Sequence, residues 1–164
     1  MTFQLNTEVA TTKSEVYANL KVQLRALLED ERDAIANMAN LASLLFHSLP
    51  DLNWAGFYLL KGNELVLGPF QGKPACVRIA LGNGVCGTAA QRRETVLVDN
   101  VNDFPGHIAC DSASNSEVVV PIVKDGRLIG VLDLDSPTLS RFDDDDAKAL
   151  NELVGIFTAA TGLD

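Results

Sequence analysis

The stretch EVVVPIVKDGRLIGVLDLD, residues 117–135, reads as two apolar strands around Asp125-Gly126, and the register between them decides the fold and where its charges fall. Aspartate is depleted in strands, yet the second arm carries it at 133 and 135. Period-two alternation puts both carboxylates on one face, with Ile129 and Val131. Like charges side by side raise each other's pKa, and partial burial adds to the effect, so the pair can grip a cationic group or supply a proton. The plainer alternative is a strand that emerges into solvent at this end. Glu117 separates the two. With a two-residue Asp125-Gly126 loop, Lys124 opposes Arg127 and Glu117 falls opposite Leu134, on the wrong face. With a three-residue Lys124-Asp125-Gly126 loop and Gly126 left-handed, Val123 opposes Arg127 and Glu117 meets Asp133. The second register is the one expected, with Glu117, Asp133 and Asp135 lining one acidic pocket.

Outward from this hairpin, NWAGFYLL from 53, ELVLG from 64, CVRIA from 76 and TVLVD from 95 are further strand-like runs, and VCGTAAQRRE from 85 fits a short connecting helix. From Ser14 to Pro50 the pattern is helical in two pieces. Val16, Leu20, Leu24 and Leu27 make one stripe, and Ile35, Met38, Ala42, Leu45 and Leu49 the other, both expected in the core. A last helix begins near DDDDAKALNELVGIF, with Ala147, Leu150, Val154 and Phe157 on its buried face. Its aspartates suit a helix N-terminus, where they cap free amides and oppose the macrodipole, better than they suit a cation site. The expected class is α+β: a single domain over residues 1–164, with a mainly antiparallel central sheet and N- and C-terminal helices packed on one face. Residues 1–13 are expected to form a flexible or loosely packed segment.

A chain of 164 residues, 47% hydrophobic, can build a core without a metal or disulfide staple. Its net charge of -9 and lack of basic clusters argue against nucleic acid or an anionic membrane as partner, and leave a cationic or zwitterionic small ligand compatible. No apolar run approaches the roughly 20 residues that span a bilayer, and the first residues lack a signal peptide's pattern, so a cytoplasmic location is expected. Three widely spaced cysteines, Cys76, Cys86 and Cys110, do not form an extracellular disulfide framework. In a reducing compartment they point to redox or catalytic use.

Cys110 lies in FPGHIACDSASNSEVVVPI, among Asp111, Ser112, Ser114 and Asn115, which favour turns and exposure rather than packing. A thiolate beside a carboxylic acid donor suits reduction of a sulfoxide, leaving a sulfenic acid that a second thiol condenses with. Cys76 and Cys86 are the available second thiols. Cys86 follows GNGV where a loop enters a helix, and the dipole there can lower a thiol pKa; a small packed residue is the alternative. His107, three residues before Cys110, is weak evidence for an activating base. A zinc site from Cys76, Cys86, His107 and Cys110 lacks the short pairings such sites use, so no metal is expected, and GNGVCG lacks the ending of a phosphate loop. Trp54 and Tyr58 share one face of a strand, where core packing is the ordinary role.

GPFQGKPACVRI from 68, GVCGTAA from 84, FPGHIACDSASNSEVVVPI from 104, GVLDLDSP from 130 and NWAGFYLL from 53 closely resemble the free methionine-R-sulfoxide reductases, enzymes built on a GAF-type fold. The resemblance runs from about residue 15 to the C-terminus. It implies Cys110 as nucleophile, Cys76 as principal resolving cysteine in a Cys76–Cys110 disulfide, and Cys86 as an auxiliary thiol. It further implies that Glu117, Asp133 and Asp135 hold the substrate ammonium and polarise or protonate the sulfoxide oxygen, and that Trp54 and Tyr58 pack around the S-methyl group. Free methionine-R-sulfoxide is the implied substrate and thioredoxin or another dithiol the implied reductant, with no bound cofactor. The other reading is a GAF-type small-molecule or redox sensor that does not turn over. The terminal helix stripes leave room for a homodimer.

Overall fold

The structure is a computed structural model and describes residues 11–163. Over residues 1–10 the expected loose segment lies outside the described residues. At its end, Thr12 accepts a hydrogen bond from the Glu15 amide and opens helix α1 (Lys13–Leu28). The Glu15 carboxylate returns a bond to the Thr12 amide, so two free amides of the first turn are satisfied reciprocally. Helix α2 (Ala34–Ser48) is capped by Asp33. Strands β1 (Trp54–Lys61), β2 (Glu64–Gly72) and β3 (Arg78–Ala80) follow, then helix α3 (Gly84–Arg92), strand β4 (Val96–Val98) and a 3-10 turn at Val101–Asp103. The central hairpin, β5 (Ser116–Lys124) and β6 (Arg127–Ser136), precedes the last helix, α4 (Asp144–Ala160).

The strands form one sheet in the order β3-β2-β1-β6-β5-β4, antiparallel at every neighbouring pair. Helices α1, α2 and α4 cover one face, packing Leu24, Leu41, Leu45, Leu150 and Phe157 onto Phe57, Val118, Val120, Leu132 and Leu134. The other face carries Trp54, Tyr58, Val119 and Val131 under α3 and two loops. The terminal helices thus share one face as expected. Ile35 departs from its expected stripe: it lies at 58% exposure in the first turn of α2, short of the core its neighbours reach. The aspartates at 143–146 do open α4, with Asp143 as its cap. Asp146 goes further than capping. Fully buried, it accepts from Tyr17 Oη at 2.7 Å and Lys13 Nζ at 2.7 Å, pinning α1 to α4.

The register of the hairpin differs from the expected one. Asp125 and Gly126 both have positive φ, 50° and 76°, and Lys124 pairs with Arg127, so the loop has two residues. Paired strictly from there, Glu117 would oppose Leu134. A bulge prevents it: Val123 pairs with Leu128 but Ile122 pairs with Gly130, leaving Ile129 as an extra residue. Ile129 consequently packs with the helix-face core, not on the carboxylate face where alternation alone put it. The shift of one residue sets Glu117 opposite Asp135, so the three carboxylates share a face by a different route from the one anticipated. Gly130, beside the bulge, also lets β1 approach closely, since a Cβ there would lie 2.1 Å from the Tyr58 carbonyl oxygen of β1.

Candidate active site

Sheet pairing builds the floor of the site. Asp135 is flanked by Trp54 on β1 and Glu117 on β5, and Asp133, two residues along β6, lies on the same face. Trp54 stacks on Phe70 with ring centres 5.2 Å apart and on Tyr58 at 5.8 Å, making a rigid aromatic wall. The polar tips of this wall hold a loop: Trp54 Nε1 donates to the Lys73 carbonyl at 3.2 Å and Tyr58 Oη to the Cys76 carbonyl at 3.0 Å. Phe70 and these two loop contacts carried no signal in the sequence reading, because they depend on which residues face one another across β1 and β2.

Cys76 on that loop is joined by a disulfide to Cys110, with Cα atoms 5.4 Å apart. Cys110 is half-buried, less open than its polar neighbours suggested. Its loop is tied to the sheet through Asn53, which gave no signal in the sequence. Asn53 Nδ2 donates to Ser114 Oγ at 3.0 Å and to Asp111 Oδ2 at 3.2 Å, and the other Asp111 oxygen accepts from the Ala113 amide at 2.9 Å. The Ala113 amide, first, and Asn53 hold the Asp111 carboxyl below its ordinary pKa. An Asp two residues before a turn amide is a common Asx arrangement, and that was the available signal.

Cys110, Trp54, Tyr58 and the three carboxylates line one cavity, together with Cys86, His107 and Ser114. No lysine or arginine lines it. Burial, reinforced by the Asp133 and Asp135 charges, raises the Glu117 pKa well above the ordinary range. Burial also lifts Asp135, with the Asp133 charge adding to it, and lifts Asp133 to about 7. The cluster therefore keeps protons at neutral pH, which equips it to donate one, and attracts a cation as it ionises.

Cys86 opens α3 as anticipated, but its environment overrides the helix dipole. It is buried, with Sγ 3.9 Å from Glu117 Oε1, and burial followed by the Asp133 and Glu117 charges pushes the thiol pKa up, not down. His107 Nε2 lies 3.8 Å from Glu117 Oε2, and burial lowers the imidazole pKa, so it faces the carboxylate cluster from the Cys110 loop.

A model of the GAF domain matches residues 25–161. The Escherichia coli protein named free methionine-R-sulfoxide reductase is 53% identical over 142 residues, covering 87% of this chain and 86% of that one. This chain is a GAF-domain member of the free methionine-R-sulfoxide reductase family. The Saccharomyces cerevisiae reductase of the same name is 44% identical over 149 residues, covering 86% and 83% of the two chains. An X-ray structure of free methionine-R-sulfoxide reductase from Neisseria meningitidis in complex with its substrate superposes with a TM-score of 0.90 at 46% identity, covering 93% of this chain and 92% of that one. Among the described residues no helix is long and apolar enough to cross a membrane.

Proposed function

We propose that this reductase-family chain reduces the R sulfoxide of free L-methionine, with Cys110 as nucleophile and Cys76 as resolving thiol. The observation that carries the reading is the convergence of Cys110, disulfide-bonded to Cys76, and three proton-retaining carboxylates on one cavity.

In the reduced protein the Cys110 sulfur attacks the sulfoxide sulfur while Glu117 and Asp135 polarise the oxygen and supply its proton. The oxygen passes to Cys110 as a sulfenic acid and methionine departs with two electrons gained. Cys76 then attacks the sulfenic sulfur, water leaves, and the disulfide forms. Two electrons from an external dithiol, thioredoxin or an equivalent, restore both thiols. Cys86, buried and outside the disulfide, serves as an auxiliary thiol in this scheme. Trp54 and Tyr58 receive the S-methyl group, and Asp133 pairs with the α-ammonium. A peptide-bound residue offers an uncharged amide there, leaving a buried charge unpaired, so discrimination against it is large.

The test is turnover of separate R and S forms of free methionine sulfoxide with a thioredoxin system, comparing wild type with Cys110→Ser. Consumption of the R form alone, abolished by the substitution, is expected. No turnover by the folded, reduced protein would refute the enzyme and favour a ligand sensor.

A further inference from the structure

The scheme above assigns Cys86 only a reserve role, yet its thiol is free, buried and part of a compact donor set. One ligand atom each from Cys86, Glu117 and Asp133 lies within 4.8 Å of the others, and all three side chains are buried. The Cys86 Sγ to Glu117 Oε1 separation is 3.9 Å. Zinc bonds of about 2.3 Å to sulfur and about 2.1 Å to oxygen, set tetrahedrally, place those two donors about 3.6 Å apart, so only a small contraction is needed. A second observation points to an occupant: Asp133, at 5% exposure and lining the cavity, has one carboxylate oxygen, Oδ1, with no hydrogen-bond partner. Buried carboxylate oxygens are seldom left without one.

We propose that the reduced protein binds a thiophilic divalent cation, Zn2+ being the type, through Cys86 Sγ, Glu117 and Asp133, and that this ion excludes substrate from the same cavity. The inhibitory half rests on the reductase reading; the binding half does not. Zn2+ displaces the protons held by the thiol and carboxyl groups, which pass to buffer, and no electron moves. The mixed thiolate and carboxylate set favours zinc or cobalt over magnesium or calcium, which take oxygen ligands alone. A fourth position stays open to water or to His107, whose Nε2 is 3.8 Å from the second Glu117 oxygen. The ligand set differs from the four-residue cysteine and histidine combination considered from sequence, since neither disulfide cysteine takes part.

The experiment uses the full chain with Cys76→Ser and Cys110→Ser together, so that Cys86 is the remaining thiol. Titration with Co2+ is expected to give a thiolate-to-cobalt charge-transfer band at one ion per chain, bleached by one equivalent of Zn2+. Adding Cys86→Ser should abolish the band, and adding Asp133→Asn instead should weaken Zn2+ affinity at least about tenfold against a chromophoric chelator, with Trp54 emission confirming the fold. A missing band in the double variant, or one that survives Cys86→Ser, overturns the site. In wild type, Zn2+ is expected to raise KM for methionine-R-sulfoxide without lowering kcat; unchanged KM at saturating Zn2+ overturns the competition. A chain that shows the cobalt band but no turnover would retain the site and lose the reductase reading.

Discussion

Replacing Asp133 with asparagine is expected to stabilise the fold at alkaline pH while weakening substrate binding. Burial lifts this carboxyl from its ordinary 3.8 to about 7. The sign is that of an acid raised on folding: below pH 4 both folded and unfolded forms are protonated and nothing is lost. As pH rises toward 7, the unfolded chain releases the proton first, so stability falls by about 1.4 kcal/mol per pH unit. Above pH 7 the loss levels at about 4 kcal/mol. Asparagine is neutral throughout and escapes it, but exchanges the hydrogen bonding with Cys86 and Glu117 for weaker bonds, a loss of about 1 kcal/mol at all pH. The expected net gain is about 3 kcal/mol at pH 8, with none or a slight loss at pH 4. Urea unfolding of the oxidised protein reads this directly through Trp54, the only tryptophan, at 3% exposure in the site. With a slope of about 2 kcal/mol/M, the midpoint at pH 8 should rise by about 1.5 M. A pH-independent difference, or a lower midpoint at pH 8, would refute the view that ionising this buried cluster costs stability.

Tyr58→Phe removes the bond to the Cys76 carbonyl, so it should lower stability by about 1 kcal/mol and slow disulfide formation after one equivalent of sulfoxide, followed by thiol quenching and mass analysis. Gly130→Ala places a Cβ against the β1 backbone and should cost about 1–3 kcal/mol or more in urea unfolding, with loss of activity at temperatures where the fold persists because the bulge sets the Glu117 register. Asp146→Ala removes the buried acceptor of Tyr17 and Arg141, while Lys13 keeps Asp143, and should cost about 1–3 kcal/mol, with the melting temperature as readout and KM unchanged in the surviving folded protein.

Much of this site was legible because strand alternation is local. Asp133 and Asp135 share a face by the geometry of β6 alone, and Trp54 and Tyr58 by that of β1. The register was not local. The Asp125-Gly126 loop has the positive φ values that favour a two-residue turn, and an isolated glycine within a strand is a known mark of a bulge, so Gly130 carried the missing information. The Cys86 thiol shows the opposite limit. A helix N-terminus can be read from GNGVCG, but the burial and the carboxyl groups that overrule its dipole come from packing against β5 and β6, thirty-one or more residues away in the chain. The bonds that join Asn53 to Asp111 and Ser114 were not legible, because short polar residues in loops reveal their partners only when the loop is closed.

The bulge ties stability and chemistry to one pairing. Val118, Val120, Leu132 and Leu134 face the helix core, and Glu117, Asp133 and Asp135 point the other way from the same two strands. Slipping β5 by one residue while keeping its faces would need a twist of the strand; slipping it with its faces reversed would drive Glu117 into the helix core and expose the valines. Either alternative is opposed by the apolar face, whatever the carboxylates do. The helix core can therefore hold three mutually repelling acids together on the other side, and their repulsion is relieved only when a proton or a cation enters the cavity. An acid cluster fixed in this way needs no reorganisation when an ammonium or a sulfoxide oxygen arrives, which is the condition under which buried charge contributes most to binding and to proton transfer.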